Sequence, residues 1–353
     1  MEDIVKEILL RLPPEEPAYL IHAALVCKSW RRVLSDAGFP RRYREFHRTP
    51  PLLGYFLNLS YNAPGTVPRF VPTTSAASPF TPPVFAHWWA LDCRHGRVLI
   101  RTFDTRGLIV WDPVTGDQHQ LLGQTHLNTD DTGAVLCAVD GCDHLGCHGG
   151  PFRVVLVRKS YTGMSARVYS SETLEWSSQA CIDSVNLYGK PRVNPSLLIK
   201  DALYFTLEPG FRVLKYDLSR HSLSVIKAPR GIQTMMVEYN QDGGLGFLAV
   251  LDDNLCMLSR FSSTADGMTG WILQWALELA PLFPDHHSSS PREVVGLVEG
   301  TDKTFINSNG GMFAVDLKSR QAKKVGDEEA MYNVLSFTSF YIPDLAKGRP
   351  SLP

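Results

Sequence analysis

The stretch Val26-Cys27-Lys28-Ser29-Trp30-Arg31 decides the fold of the N-terminal part of this chain. Three short segments, the last of which carries this stretch, have apolar residues that recur with the 3.6-residue period of a helix. The first segment ends at Leu12-Pro13, because proline lacks the N–H group that continues a helix. The pattern therefore predicts three short helices within residues 1–40.

Three helices of this length bury little surface between them, so a partner is expected to cover their remaining apolar side chains. The sequence of residues 4–39 resembles the F-box, mainly through residues 26–31 and their distance from Leu12-Pro13. In the F-box family these helices bind the Skp-type adaptor of a cullin ubiquitin ligase. The positions to which the resemblance assigns adaptor binding are Ile8, Leu9, Leu12, Pro13, Leu20, Val26, Cys27, Trp30 and Leu34.

One feature of the family differs at the start of the sequence. F-boxes usually open with a Leu-Pro pair before the first helix, and this chain has Met1-Glu2-Asp3-Ile4 there. Either the chain starts late or the adaptor contact lacks that pair. The alternative interpretation of residues 1–40 is a helical cap on a larger domain, with no role in ubiquitin transfer.

The composition favours an intracellular protein. The 353 residues allow two domains, and a net charge of -1 gives no global reason to bind nucleic acid or an anionic membrane. The sequence has no apolar run of about 18 residues and no secretory signal. Seven cysteines, an odd number, indicate free thiols in a reducing compartment. We expect a cytoplasmic or nuclear protein without membrane contact.

Residues 41–50 are predicted to form a basic linker helix. Arginines surround Tyr43 and Phe46, and we expect these two rings to pack on the next domain while the arginines face water. The alternative is a nucleic-acid patch, since such patches interleave arginine with aromatic residues. No nucleic-acid partner is predicted.

From residue 51 the sequence consists of short alternating segments separated by Gly, Pro, Asn, Asp and Ser, which is typical of an all-β domain. A unit of strand, turn and strand recurs about every 50 residues, the length of a kelch-like blade. Such units cannot close their own edges, so a radial arrangement as a β-propeller is expected. The copies of the unit centre on Trp111, Tyr169, Tyr216, Trp275 and Val315.

The predicted fold is mainly β with a small N-terminal all-α domain. This order of domains resembles that of plant-type F-box proteins. Strands at 52–59 and 334–342 are expected to form a shared sixth blade that closes the ring, and a count of seven blades stays open. A two-sheet β-sandwich is the alternative. The predicted divisions are an F-box at 1–40, the linker helix at 41–50, the propeller at 51–345 and a flexible tail at 346–353.

The target-binding residues are unknown from the sequence. Residues 62–83 and 284–291 are predicted to be loops because they are rich in proline and serine. Loops at one mouth of a propeller often carry recognition. His87, Trp88 and Trp89 follow the first loop and are candidates for a binding face, with core aromatic residues of a blade as the alternative.

Residues 137–148 hold three cysteines and two histidines. Zinc could use such donors, and the candidate ligands are Cys142, His144, Cys147 and His148. However, four residues separate successive cysteines, and Cys137 lies in an apolar run that predicts a buried strand residue. We therefore expect a glycine-rich connection between two strands, with no metal and no cofactor.

The sequence carries no nucleophile elbow, phosphate loop, zinc-protease motif or dinucleotide fingerprint. The paired carboxylates Asp130-Asp131 and Asp252-Asp253 lie at predicted turns and are interpreted as solvated. We expect no enzymatic activity, and a metal-dependent propeller enzyme is the least favoured alternative.

The resemblance implies instead a non-catalytic substrate receptor of a Skp-cullin-F-box ubiquitin ligase. Its F-box would bind the adaptor and, through it, the cullin, while its propeller would hold an unidentified target protein for ubiquitination. The alternative is a stand-alone β-propeller scaffold with a degenerate F-box and no role in ubiquitin transfer.

Overall fold

The computed structural model describes residues 2–59, 68–73, 87–123, 127–128, 130–160, 162–183, 190–191, 194–208, 212–229, 234–239, 243–262, 269–283, 292–327 and 331–342. The loop predicted at 284–291 and the tail predicted at 346–353 lie outside these ranges. Most of the loop predicted at 62–83 also does. Within it, however, residues 69–72 form a strand, because Phe70 packs on Phe56 with ring centroids 4.9 Å apart.

Four helices open the chain, and they are α1 (Glu2–Leu10), α2 (Ala18–Val26), α3 (Lys28–Leu34) and α4 (Phe39–His47). The first three confirm the helical pattern of the sequence. Helix α4 begins two residues before the predicted linker helix, because Pro40 fits the first turn of a helix. Tyr43 is buried as predicted, whereas the prediction for Phe46 is wrong, since its side chain is 48% exposed.

The described strands form six sheets, which are the blades of a β-propeller. Strands β1 (Leu52–Leu59) and β2 (Arg69–Pro72) come first along the chain. Blade 1 follows, with β3 (Trp88–Arg94), β4 (Arg97–Thr102), β5 (Leu108–Trp111) and β6 (Gln118–Leu121). Blade 2 contains β7 (Thr132–Cys137), β8 (Phe152–Lys159), β9 (Gly163–Ser170), β10 (Glu175–Trp176) and β11 (Ala180–Asp183).

Blade 3 contains β12 (Lys190–Pro191), β13 (Leu197–Ile199), β14 (Ala202–Glu208), β15 (Arg212–Asp217) and β16 (Ser222–Lys227). Blade 4 contains β17 (Thr234–Tyr239), β18 (Gly244–Leu251), β19 (Asn254–Ser262) and β20 (Thr269–Glu278). Blade 5 contains β21 (Glu293–Val298), β22 (Lys303–Ser308), β23 (Gly311–Asp316) and β24 (Gln321–Gly326). Blade 6 is the sheet β2-β1-β25, with β25 (Met331–Thr338). The structure thus confirms the propeller and, with six blades, excludes the β-sandwich.

Blade 6 closes the ring by pairing strands from the two ends of the propeller sequence. Strand β1 runs antiparallel to β25, with Phe56 opposite Leu335. Asn58 is fully buried at this seam, and its Nδ2 donates to the Asn333 Oδ1 (2.8 Å) and to the Ala90 carbonyl (2.7 Å). The backbone N–H of Ala90 in turn donates to the Asn58 Oδ1 at 3.1 Å. One amide thereby joins the first strand, the last strand and blade 1.

A separate apolar cluster fills each of the six interfaces between neighbouring blades. Successive residues of a strand face opposite sides of its sheet, so each blade contributes to two clusters. The close approach of blades 5 and 6 requires Gly296, because a Cβ there would lie 2.7 Å from the Val334 carbonyl oxygen. The blades therefore stabilise one another through shared apolar surface, as a radial repeat requires.

A buried ionic cluster lies among the first strands of several blades. The Arg94 guanidinium, which is 4% exposed, donates to both carboxylate oxygens of Asp92 at 2.7 and 2.8 Å. It also donates to Ser196 of the segment before β13 and, at 2.9 Å, to the Glu299 carboxylate after β21. Burial raises the pKa of Asp92 to about 6, although Arg94 opposes this rise. One arginine thus connects blades 1, 3 and 5.

We predict that Arg94→Ala lowers the free energy of unfolding by about 3–5 kcal/mol, because it leaves the buried Asp92 without its partner. Urea unfolding at neutral pH measures the loss. Arg153→Ala is the matched control, since Arg153 is an exposed arginine on β8 and its removal should change stability by no more than about 0.5 kcal/mol. Equal losses in the two variants would contradict the role of Arg94.

Candidate functional site

The N-terminal helices expose apolar side chains on one side of α1 and one side of α2. On α1, Ile4 and Ile8 lie one helical turn apart and are 65% and 46% exposed. On α2, Tyr19, Leu25 and Val26 are 48%, 68% and 63% exposed. We call these five residues the exposed apolar face of the F-box.

The composition of α2 explains this exposure. Eight of its nine residues, AYLIHAALV, are apolar, so the helix has no polar side to turn towards water. Its buried side consists of Leu20, Ile21, Ala23 and Ala24. A helix that is apolar all round is normally buried all round. One side of α2 is therefore an apolar surface that the described part of the chain leaves exposed.

The nine positions that the resemblance assigned to adaptor binding differ in how far they are buried. Ile8, Pro13, Val26 and Cys27 are exposed, while Leu12 and Trp30 are partly buried against the helical core. The remaining three do not form part of a surface, because they lie in that core with exposures of 0–3%; they are Leu9, Leu20 and Leu34. Their assignment to the contact is corrected to a structural role.

The resemblance to the F-box did not assign three members of the exposed apolar face to the adaptor contact, namely Ile4, Tyr19 and Leu25. The spacing of four residues between Ile4 and Ile8 was a usable signal, because such residues share one face of a helix. For α2 the usable signal was its composition, because eight apolar residues out of nine are more than one buried face needs.

The helical domain shares its core with the propeller. Phe340, which follows β25 and is 3% exposed, lies in the same cluster as Leu9, Leu34 and Tyr43. The Tyr43 ring meets the Phe340 ring edge-on at 6.2 Å, and its hydroxyl donates to the Leu12 carbonyl at 2.8 Å. Burial raises the pKa of the Tyr43 hydroxyl, which keeps it neutral as a donor. The segment that follows β25 therefore completes the core of the N-terminal helices.

The three candidates for target binding in the propeller have different surroundings. Trp88 and Trp89 are 3% and 4% exposed and face opposite sides of β3, so each fills a different interface between blades. They are core aromatic residues, which corrects their candidacy for a binding face. His87 is exposed, and its carbonyl accepts a hydrogen bond from the Phe103 N–H at 3.0 Å.

A cleft of about 800 Å³ opens between blades 1 and 2, next to Phe103. Its floor contains the buried residues Arg101 and Asp131, and its rim carries the exposed cations Arg106 and Lys159. Burial raises the pKa of the Asp131 carboxyl. Because adjacent strands are antiparallel, the turn after β4 lies at the opposite end of the blade from the turn after β3. The cleft and the F-box therefore lie at opposite ends of the propeller.

The cysteine-rich connection between β7 and β8 brings together four potential metal ligands. The ligand atoms of Cys137, Cys142, His144 and Cys147 all lie within 4.8 Å of one another. Burial, together with the neighbouring Cys137 and Cys142, raises the pKa of the Cys147 thiol to about 12. Cys137 is the last residue of β7, which agrees with its prediction as a strand residue, and its side chain is partly exposed. The side chain of His148 lies outside the described part of the chain.

Comparison with protein families accounts for both parts of this architecture. The F-box domain model matches residues 2–42, and the model "F-box protein AT5G49610-like, beta-propeller" matches residues 89–340. The chain belongs to this family. Its members combine the two domains seen here, which confirms the resemblance to plant-type F-box proteins.

Solved structures are only distantly similar to this chain. The nidogen/laminin complex has a chain with 11% identity and a TM-score of 0.43, covering 81% of this chain and 98% of its own. TolB from Acinetobacter baumannii has 11% identity and a TM-score of 0.38, covering 88% and 72%. The extracellular domain of BT4673 from B. thetaiotaomicron has 17% identity and a TM-score of 0.35, covering 69% of this chain and 28% of that one. No curated protein matches the chain significantly.

The family establishes the general class of the protein. An F-box followed by a β-propeller is the architecture of F-box substrate receptors, which are typically non-catalytic adaptors. F-box domains generally bind Skp-type adaptors. Among the helices in the described ranges, none is long and apolar enough to cross a membrane.

We predict that Tyr43→Phe loosens the F-box, because it leaves the partly buried Leu12 carbonyl without its donor at a cost of about 1–3 kcal/mol. Hydrogen exchange of the amides in α1 and α2 should become faster while exchange in the blades stays unchanged. Tyr19→Phe is the matched control, since Tyr19 lies on the exposed side of α2. Unaltered exchange in Tyr43→Phe would show that this hydrogen bond does not hold the helices.

Proposed function

We propose that this protein is the substrate-receptor subunit of a Skp-cullin-F-box ubiquitin ligase. Its F-box binds the Skp-type adaptor and, through it, the cullin, while its propeller binds a target protein. The observation that carries the proposal is the exposed apolar face of the F-box. The domain buries most of its other apolar side chains in the helical core that Phe340 completes, so this face is available to a partner.

Two residues of this face can make a measurable contribution to the affinity for a partner. Full burial of a leucine or valine side chain contributes about 1.5–3 kcal/mol, and Leu25 and Val26 are each more than 60% exposed. Together these two residues can therefore contribute about 2–4 kcal/mol, which corresponds to roughly 30-fold to 1,000-fold in affinity.

The mechanism is proximity, and it needs no catalytic residue in this chain. A receptor holds a lysine of the target near the charged conjugating enzyme and so raises its effective concentration. The shared core of F-box and propeller suits this task, because it fixes the direction in which the target is presented. A flexible link between the two domains would distribute the target over a larger volume.

We place target recognition at the end of the propeller opposite the F-box, around the cleft between blades 1 and 2. This end carries exposed His87 and the rim cations Arg106 and Lys159 above the carboxylates of Asp130 and Asp131. A cleft with cations at its rim and a polar floor suits an acidic polypeptide segment more than an apolar ligand. A target bound there does not compete with the adaptor for space.

The proposed site of action is the cytoplasm or the nucleus. All seven cysteines are free thiols, which is typical of a reducing compartment.

The adaptor contact can be tested with a purified Skp-type adaptor in a pull-down. Wild type should bind, and the variant Leu25→Ala with Val26→Ala should bind at least tenfold more weakly while its thermal unfolding stays unchanged, because both residues are exposed. The matched control is Leu122→Ala with Leu273→Ala, which removes two exposed leucines from the propeller. Absence of wild-type binding would instead support the stand-alone scaffold with a degenerate F-box.

The target-binding end can be tested by affinity purification from cells in which the proteasome is blocked. Arg106→Glu with Lys159→Glu should lose the proteins that accumulate on wild type and should retain the adaptor. Lys318→Glu with Arg320→Glu is the matched control, because both side chains are exposed on the turn after β23, at the F-box end of blade 5. Retention of the same proteins by the Arg106 variant would place recognition elsewhere.

A further inference from the structure

The connection between β7 and β8 brings four potential metal ligands close together. Its four donor atoms, three thiol sulfurs and one imidazole nitrogen, lie within 4.8 Å of one another. The Cys147 Sγ and the His144 Nδ1 are 3.7 Å apart. Sulfur and nitrogen ligands bind zinc at about 2.3 and 2.0–2.1 Å, so two ligands of one tetrahedral ion lie about 3.5–3.8 Å apart. The separations in the cluster, 3.7 Å for one pair and no more than 4.8 Å for any pair, are close to these values.

The backbone of the connection is shaped around these side chains. Cys137 is the last residue of β7, and Cys147 opens a 3₁₀ turn that ends at Gly149. The chain reverses between them through Gly141 and His144, which have positive φ angles of 65° and 58°. The His144 N–H lies 3.4 Å from the Cys142 Sγ, and the Val139 N–H lies 3.4 Å from the Cys137 Sγ. Such N–H groups stabilise negative charge on sulfur.

Positive charge converges on the same place. Arg97 donates to the carbonyls of Cys147 and Gly150 and lies close enough to the three cysteines to interact with them electrostatically. The guanidinium of Arg44 from α4 lies against Gly146, where an added Cβ would be 2.5 Å from its Nη1. The Arg97 Nη1 and the Arg44 Nε are buried, and neither has a hydrogen-bond partner among the described residues. Both arginines thus face a site where negative charge is expected.

We propose that Cys137, Cys142, His144 and Cys147 bind one Zn²⁺ ion as three thiolates and a neutral imidazole. Each thiol gives its proton to solvent on binding, and the complete site carries a net charge of -1 next to the guanidinium groups of Arg97 and Arg44. Three sulfur ligands favour zinc over magnesium, calcium or manganese, which prefer oxygen. Four protein ligands leave no open position, so the ion is structural and not catalytic.

The ion would fix the F-box on the propeller. Leu145, between two ligands, packs into the helical core that contains Leu34 and Tyr43, and the neighbouring Gly146 contacts Arg44 of α4. His95 of the β3–β4 turn stacks on the His144 ring, with centroids 3.9 Å apart and planes within 6°. One metal-bound loop therefore connects blade 1, blade 2 and the F-box. This role does not depend on the identity of the target or on the ubiquitin ligase.

The primary test is the metal content of the full chain, purified under reducing conditions and dialysed against metal-free buffer. Wild type should contain about one zinc ion per chain. Cys142→Ser and His144→Ala should each contain less than about a tenth of that amount, whereas Cys181→Ser, which removes an exposed cysteine from β11, should retain it. A zinc-free wild type that takes up no zinc on titration would overturn the proposal, as would full zinc content in Cys142→Ser.

Two further measurements keep the test decisive if a variant folds poorly. His144→Cys preserves a ligand and should restore the zinc that His144→Ala loses. Wild type loaded with Co²⁺ should show the intense visible bands of tetrahedral cobalt and the charge-transfer band of cobalt thiolates. A disulfide between any two of the three cysteines in reduced, freshly purified protein would contradict the site.

The structural role has a readout of its own. Chelation of the metal should lower the melting temperature of wild type and increase hydrogen exchange in α4 and in residues 138–150, with little effect in blades 4 and 5. Cys142→Ser should show no response to the chelator. If chelation removed zinc from wild type without changing exchange in α4, the ion would not connect the F-box to the propeller. Adaptor binding is measured in a separate experiment. A failure to bind the adaptor would therefore not contradict the metal site.

Discussion

The pairing of β1 with β25 is the interaction on which the rest of the structure depends. A blade has two apolar faces and is stable only when both are covered, so an open row of blades would expose one face at each end. Blade 6 removes those ends, because its strands come from both ends of the propeller sequence. The buried amide of Asn58 fixes the register of this seam, since it bonds to Asn333 on one side and to Ala90 on the other. If β1 slipped by one residue against β25, these polar groups would be buried without hydrogen-bond partners.

Much of the architecture could be predicted from the sequence, because it follows from periodicity. The helical period of residues 1–40 and the repeat of about 50 residues reflect which faces must be buried, and those are local properties of the sequence. Strand β2 was missed because Phe70 is held in place by Phe56, a contact that no local pattern shows. Likewise, adjacent Trp88 and Trp89 suggested a binding face, whereas alternation along β3 sends each ring into a different interface between blades.

The candidate sites were less predictable from the sequence, because they consist of side chains that the core does not bury. Leu9, Leu20 and Leu34 match the F-box pattern as well as Val26 does, yet the first three are used for packing and only the last is exposed. The four-residue gaps between successive cysteines argued against a metal site when only the sequence was considered. What spacing could not show is that the chain turns back between Cys137 and Cys147 and that residues from blade 1 and α4 hold the turn in place. His144-Leu145-Gly146-Cys147 does have the two-residue gap of a metal-binding knuckle, with histidine in the first position.

The burial of Phe340 in the helical core has a consequence for biosynthesis. The F-box helices leave the ribosome before the propeller does, but their core stays open until a residue that follows the last blade strand has been made. Domains at the N-terminus usually fold first during translation. Here the helices can reach their final packing only after the ring that they dock on has closed. A chain released early by the ribosome would therefore carry N-terminal helices whose core is incomplete.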